Sequence, residues 1–265
     1  MLNTFLQHRY LTSQMIKREV LERYRGSHFG LLWSFAYPVL MLLVYMFIFG
    51  VVFKMKWGAA AAADQGNVPF GVIMFSGLIL HAFLGECLVR STSLVTANQQ
   101  YVKKVVFPLP ILPLVTIGTA LFHLLAGIFI LLVFSTIAGA PPAWTILLAP
   151  LVLLPFVFFL LGCSWFLAAI CVFVRDIGQI MGVLVTVLLF LAPIFYPLSQ
   201  VPERLQFWMY FNPLTVIVEQ FRAVVLFGQT PDWLHLSIYG LVGLATMLLG
   251  YAFFRRTQGA FADVI

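Results

Sequence analysis

Few side chains in this sequence could hold or move a proton inside an apolar setting, and the candidates are Glu86, His81 and His123. Glu86 precedes Arg90 by four residues, so an i,i+4 ion pair on one helix face explains it more simply than a proton relay. His81 and His123 stand alone in apolar runs, where a hydrogen-bonded packing role is the plain reading and proton transfer the sharper one. Cys87, Cys163 and Cys171 lie in apolar stretches without metal-ligand spacing and read as buried structural thiols. The chain carries no G-x-x-x-x-G-K-[ST] phosphate cradle, no H-E-x-x-H, no G-x-S-x-G and no clustered carboxylates. Accordingly no catalytic residue and no metal site is assigned, and any nucleotide must be handled by another subunit.

Aromatic residues are the unusual abundance, at 16% of the chain with 27 phenylalanines. Phe29, Trp33 and Tyr37, then Tyr45, Phe49 and Phe53, step by four and form a ladder winding slowly round one helix. Such rings serve lipid contact, packing and interfacial belts. A sharper reading makes Trp33, Tyr37, Tyr45 and Phe49 the lining of a path for sugars, whose C–H faces stack on rings while hydroxyls find tyrosines. Phe190, Phe195 and Tyr196 would join that lining.

The elements that position these residues are membrane helices. With 62% hydrophobic residues, 9% charged residues and a mean hydropathy of +1.03, the chain lies far outside the balance of a soluble domain. Six long apolar stretches are predicted, over 29–53, 70–89, 111–138, 144–174, 177–195 and 234–254, each of the ~20 residues or more that cross a bilayer. An even number of spans puts both termini on one side. The same side then holds 11 of the 15 Lys and Arg residues, with only Lys54, Lys56, Arg204 and Arg222 opposite, so the termini are expected in the cytoplasm. Three regions follow: residues 1–28 as an imperfectly amphipathic interface helix, 29–254 as a six-helix transmembrane domain, and 255–265 as a cytoplasmic tail. The inner connection from Arg90 to Pro110 reads as a short polar helix stopped by prolines, suited to a soluble partner. The outer connection from Pro197 to Trp233 holds apolar runs too short to cross, and short re-entrant or interfacial helices are expected there. The fold class is therefore an all-α polytopic integral membrane protein.

Where the chain first enters the membrane it reads Lys17-Arg18-Glu19, then Arg23-Tyr24-Arg25-Gly26-Ser27-His28-Phe29-Gly30-Leu31-Leu32-Trp33-Ser34, with Pro38 a turn later. Further on come Lys103-Lys104-Val105-Val106-Phe107-Pro108, Leu112-Pro113, the Arg175-Asp176-Ile177 turn, and Asn212-Pro213 followed by Glu219 and Phe221-Arg222. In this order, over nearly the whole chain, the sequence resembles the type 2 ABC transporter permeases that export bacterial O-antigen, capsule and teichoic acid polysaccharides, and most of all the O-antigen permeases.

That resemblance implies a homodimer in the bacterial inner membrane, bound to two copies of an ABC ATPase that holds ATP and Mg, with a polysaccharide linked to undecaprenyl diphosphate as cargo. No cofactor is implied for this chain itself, and no nucleic acid. Residues 92–104 become a coupling helix, with Asn98, Gln99, Gln100, Tyr101, Lys103 and Lys104 at the ATPase contact and Arg175 and Asp176 as a second contact. A solvated loop and a plain turn are the alternatives. Arg23 and Arg25 are candidates for the lipid diphosphate, since guanidinium presents paired donors to phosphate, although topogenic charge accounts for them as well. Glu219 and Arg222, spaced i,i+3, would hold together an extracellular gate.

Three other functions stay open at this stage. A related permease could export a small drug or lipid. An ATP-independent scaffold would use the polar inner loop to bind a structural protein. A proton-coupled carrier would depend on His81, Glu86 or His123.

Overall fold

The computed structural model describes residues 2–54, 57, 68–103 and 107–264, and every regular element among them is helical. Helix α1 (Leu2–Arg23) leads through a 3-10 turn (Gly30–Leu32) into α2 (Trp33–Tyr45), which continues as a π-helical stretch (Met46–Val52). Helix α3 (Phe70–Thr92) is followed by the short α4 (Leu94–Ala97) and α5 (Gln99–Lys103), then α6 (Leu112–Ile137) and α7 (Ala149–Phe173). The remainder comprises α8 (Ile177–Leu191), α9 (Glu203–Met209), α10 (Pro213–Val225), α11 (Trp233–Thr257) and α12 (Phe261–Val264). Five helical segments have span length and composition: Gly30–Val52, Phe70–Thr92, Leu109–Ile137, Trp144–Phe173 and Trp233–Val264. The protein is a polytopic, all-α membrane protein.

The sixth expected span is cut short. Helix α8 has 15 residues, about 22 Å at a rise of ~1.5 Å per residue, against a hydrocarbon core of ~30 Å. Pro193 sets that limit: its ring disfavours the helical region for the residue before it, and Ala192 is extended at φ −91°, ψ 150°. The carbonyls freed at this break reappear below as ligands of a buried arginine.

The bundle has two ends. Helix α1 packs on α6 at one of them, with Ile16 seated in the notch left by Gly118 and Val20 buried. Gly178 at the start of α8 lies beside Thr92 at the same end. Residues 255–265, expected as a tail, include α12, whose Phe261 is fully buried against Phe254 and Phe173. At the other end lie α9, α10 and the 3-10 turn Trp144–Leu148, joined where the Thr145 hydroxyl donates to the Val224 carbonyl at 2.7 Å. Helix α10 buries Leu214, Ile217, Val218, Phe221 and Val225 without crossing the bundle, while α9 leaves Phe207 and Trp208 exposed. Short, non-crossing helices are what the sequence predicts for this connection.

The tightest seam joins α7 to α11. Gly243 faces the Pro155 carbonyl, and a Cβ placed on it would lie 2.6 Å from that oxygen. A Cβ on Gly250 would lie 2.8 Å from the Gly162 carbonyl carbon, and closer still to its oxygen. Small residues allow backbones to meet in this way, which is how membrane helices gain dispersion contact where lipid supplies no hydrophobic drive.

Candidate functional site

On the opposite side of the bundle the packing opens into a cavity of about 1220 Å³ bounded by α1, α2, α3, α6 and α8. Trp33, Tyr37 and Tyr45 line its α2 wall, and Phe75 and Phe83 belong to its α3 wall. The i,i+4 ladder therefore does place three of its rings on one lined space. Trp33 and Tyr37 are exposed and Tyr45 half-buried, so the wall presents ring faces and phenol hydroxyls together, a surface suited to amphipathic ligands such as sugars.

Phe49, Phe190 and Phe195, expected on the same path, are not among the residues lining this cavity. Phe49 meets Phe195 at 6.4 Å between ring centroids, and Phe195 stacks on Phe190 at 5.9 Å. These three path candidates, two of them at or just beyond the end of α8 and the third far back in the sequence, thus form one chain of rings between the π-helical stretch and the broken end of α8. Tyr196 turns aside: its hydroxyl donates to the Phe190 carbonyl at 2.9 Å, and its ring lines a separate apolar hollow of about 440 Å³ beside Leu205, Trp208 and Phe211.

At the α1 end of the large cavity sits a charged network the spacing only half reveals. The Glu86–Arg90 pair forms as expected, at 3.1 Å. Glu86 also accepts from Arg23 at the end of α1, and Arg90 pairs with Glu19 on α1. His123, on α6, places Nδ1 2.8 Å from the second oxygen of Glu86 and Nε2 3.3 Å from the Tyr24 hydroxyl. A ring with Nδ1–H donating to the carboxylate and Nε2 accepting from the phenol satisfies both contacts. Three helices are thereby joined through one carboxylate. Burial pushes the Tyr24 phenol above its ordinary range, so it stays a hydroxyl donor at neutral pH. His123 is consequently part of a polar network and not a solitary packing residue, while His81 donates Nε2–H to the Val185 carbonyl of α8 at 3.0 Å and fits the packing reading.

The two guanidiniums expected to meet a diphosphate are separated. Arg23 enters the cavity and is engaged by Glu86, whereas Arg25 lies exposed beyond the end of α1 with no ion pair among the described residues.

The expected pairing of Glu219 with Arg222 is not formed among the described residues. Arg222 is 3% exposed, and its fork is spent on oxygen atoms elsewhere. Nε donates to the Ile73 carbonyl and the Ser76 hydroxyl at 3.1 Å each, Nη1 to the Pro193 carbonyl at 2.5 Å and Nη2 to the Ile194 carbonyl at 3.1 Å. The guanidinium carbon also lies 4.5 Å from the centre of the Trp57 ring. A proline break leaves carbonyls without helical donors, and a planar five-donor cation answers several at once. Arg222 thus ties α10 to α3 and to the end of α8.

The expected coupling helix is two single-turn helices, α4 and α5, separated at Asn98 (φ −115°, ψ 38°), whose amide donates to the Leu94 carbonyl at 2.8 Å. Gln99, Gln100 and Lys103 are exposed, while Tyr101 is half-buried and stacked on Phe107 at 4.5 Å. Lys104 lies outside the described residues. Asn98 and Tyr101 also border a polar hollow of about 310 Å³ shared with α1 residues Arg18, Glu19 and Glu22. Arg175 and Asp176 are exposed at the same end of the bundle, and they form no ion pair with each other among the described residues.

The family described as ABC-2 type transporter matches residues 10–226, most of the chain. The chain belongs to that family. This ABC-2 chain is 29% identical over 262 residues to the O-antigen export system permease protein RfbA of Myxococcus xanthus, covering 98% of this chain and 96% of the relative. It is 26% identical over 253 residues to the RfbA of Klebsiella pneumoniae, at 94% and 92% coverage. Over 251 residues it is 27% identical to the polysialic acid transport protein KpsM of Escherichia coli, covering 92% of each. The match to the family runs from within α1 to the end of α10 and so includes the cavity, the α4–α5 turn and the Arg222 tie of this ABC-2 chain.

Proposed function

We propose that this chain is the membrane-spanning subunit of an ATP-driven exporter that moves polysaccharide, linked to undecaprenyl diphosphate, out across the bacterial inner membrane, with O-antigen as the preferred cargo. The observation that carries this reading is the cavity itself, where exposed rings adjoin guanidinium groups. One wall suits the sugar and one end suits the phosphate that joins it to lipid. Relatives named for O-antigen export and for polysialic acid transport agree on a polysaccharide.

In this reading the chain acts as a homodimer with two copies of an ABC ATPase that binds ATP and Mg, and both termini face the cytoplasm. Helices α2 and α8 and the π-helical stretch after α2 support the dimer, since Leu40, Leu43, Phe47, Ile180, Val183 and Val187 are all exposed apolar residues. The α4–α5 turn receives the ATPase through Gln99, Gln100 and Lys103, with Arg175 and Asp176 alongside. Movement there reaches the cavity through Arg90, which is on α3 directly before that turn and is paired to α1. At the far end α9 and α10 serve as the gate, with Arg222 holding α10 in place.

Complementation of a deletion strain tests this, with surface glycan and the intracellular lipid-linked pool measured together. Loss of surface glycan with a growing lipid-linked pool, rescued only when the ATPase is intact, is the expected result. Unchanged pools on both sides would sink it and favour a small drug or lipid as cargo. The 2.8 Å contact of Glu86 with His123 favours one competing reading, a proton-coupled carrier. That reading requires transport to survive loss of the ATPase and to respond to a proton gradient.

A further inference from the structure

Two arginines beside an open cavity pose a selectivity problem. Arg23 is half exposed, with 50% of its side-chain surface accessible, and Arg90 retains 32%. A membrane presents singly charged phosphodiester headgroups in large excess over any export cargo, and bare guanidinium pairs bind such groups readily. Glu86 stands between the two and occupies both. One of its oxygens accepts from Arg23 and Arg90, the other accepts from His123, and only 15% of its side chain is exposed.

We propose that Glu86 is a specificity-determining residue, an internal anion that singly charged lipid headgroups do not displace and that a lipid diphosphate does. The proposal rests on the lipid-diphosphate reading above. Formal charges on Arg23, Arg90, Glu86 and Glu19 cancel, so exchanging the Glu86 carboxylate for a phosphodiester of equal charge gains little. A diphosphate diester brings a second charge and more acceptor oxygens, enough to engage both forks at once. His123 makes the exchange possible from the protein's side. It already donates to the far oxygen of Glu86, since a carboxylate only accepts and so requires the Nδ1–H tautomer, and the Tyr24 hydroxyl can then donate to Nε2. The displaced carboxylate therefore keeps one hydrogen bond when it leaves the guanidiniums, and no buried charge is left without a partner.

The test uses the full chain in detergent micelles, with fluorescent farnesyl-diphospho-N-acetylglucosamine as probe and dioleoylphosphatidylglycerol as competitor. Wild type is expected to hold the probe against excess phosphatidylglycerol. Glu86→Gln is expected to lower that preference about tenfold, the equivalent of one charge-assisted hydrogen bond. An unchanged preference in a Glu86→Gln protein with wild-type melting overturns this inference and leaves the lipid-diphosphate reading standing. Failure of wild type to hold the probe overturns both. Should Glu86→Gln not fold, Glu86→Asp decides, because its carboxylate is drawn back by one methylene. A preference reduced about threefold supports the proposal on the same scale, and an unchanged one overturns it.

Discussion

The α7–α11 seam and the cavity on the α1–α2 side are built by opposite means within one small bundle. In the seam, backbone lies against backbone through Gly162, Gly243 and Gly250, and the rings that cover it, Trp165 on Tyr251 and Phe166 on Phe253, pack against their neighbours. Around the cavity, helices stand apart along part of their length, and there charged side chains bridge α1, α3 and α6, beside apolar contacts such as Ile16 on Gly118 and Ile79 on Gly127. Dispersion contacts between backbones have one good geometry and resist change. An ion network that opens onto a cavity through Arg23 has several alternative pairings and is more easily re-paired. Stability is therefore expected to depend on the seam and transport on the cavity, and substitutions in each region separate the two.

The largest expected effect is in the seam. Gly250→Leu drives a side chain into the Gly162 carbonyl, where the obstacle is backbone and does not rotate away, and a destabilisation above about 3 kcal/mol is expected. Thermal melting in detergent, or the yield of monodisperse protein, measures it. Gly182→Leu on α8 is the matched control, since nothing lies within 4 Å of a Cβ there, and it is expected to melt as wild type does. Equal damage from both would mean that the seam is not special.

Arg222 belongs energetically with the seam although it is charged. Replacing it by Met leaves the carbonyls of Pro193 and Ile194 without the donor that Arg222 supplies, while the Ile73 carbonyl keeps the Ser76 hydroxyl, and a loss on the order of 3 kcal/mol is expected. Arg222→Lys keeps the charge and loses the fork, so it is expected to recover only part of the melting temperature. A smaller step is Asn212→Ala. Its side chain caps α10 at the Leu214 amide and donates to the Leu188 carbonyl at 2.9 Å, and losing the cap costs about 1 kcal/mol.

How far each region is legible in sequence follows from the range of its forces. Apolar stretches long enough to span are visible at once, and five of the six predicted ones have that length, the exception ending where Pro193 forces Ala192 out of the helix. The Glu86–Arg90 pair and the Trp33-Tyr37 face are visible because they repeat along a single helix. Glu86 with His123 is not, since 37 residues and a change of helix separate them. Arg222 shows the hazard of local spacing. Glu219 lies at i−3 and suggests a pair, yet carbonyls freed by a distant proline break compete better for a planar cation. Likewise Phe49, Phe190 and Phe195 are path candidates in sequence, but that Phe195 meets both of the others depends on the break after α8 and is not visible there.

The smallest stability effect is paired with the sharpest functional one. Arg23 is half exposed, and Glu86 keeps Arg90 and His123 when it is lost, so Arg23→Gln is expected to melt within about 1 kcal/mol of wild type. The same change removes the cavity's link from α1 to Glu86 and the fork proposed to meet the diphosphate, and surface glycan is expected to fall by most of its amount while the lipid-linked pool rises. Arg25→Gln, beyond the end of α1 and outside the network, is expected to retain export. Should Arg23→Gln export normally, or Arg25→Gln fail equally, charge near the membrane surface and not the cavity would be the determinant, and the division between a structural seam and a working cavity would lose its functional half.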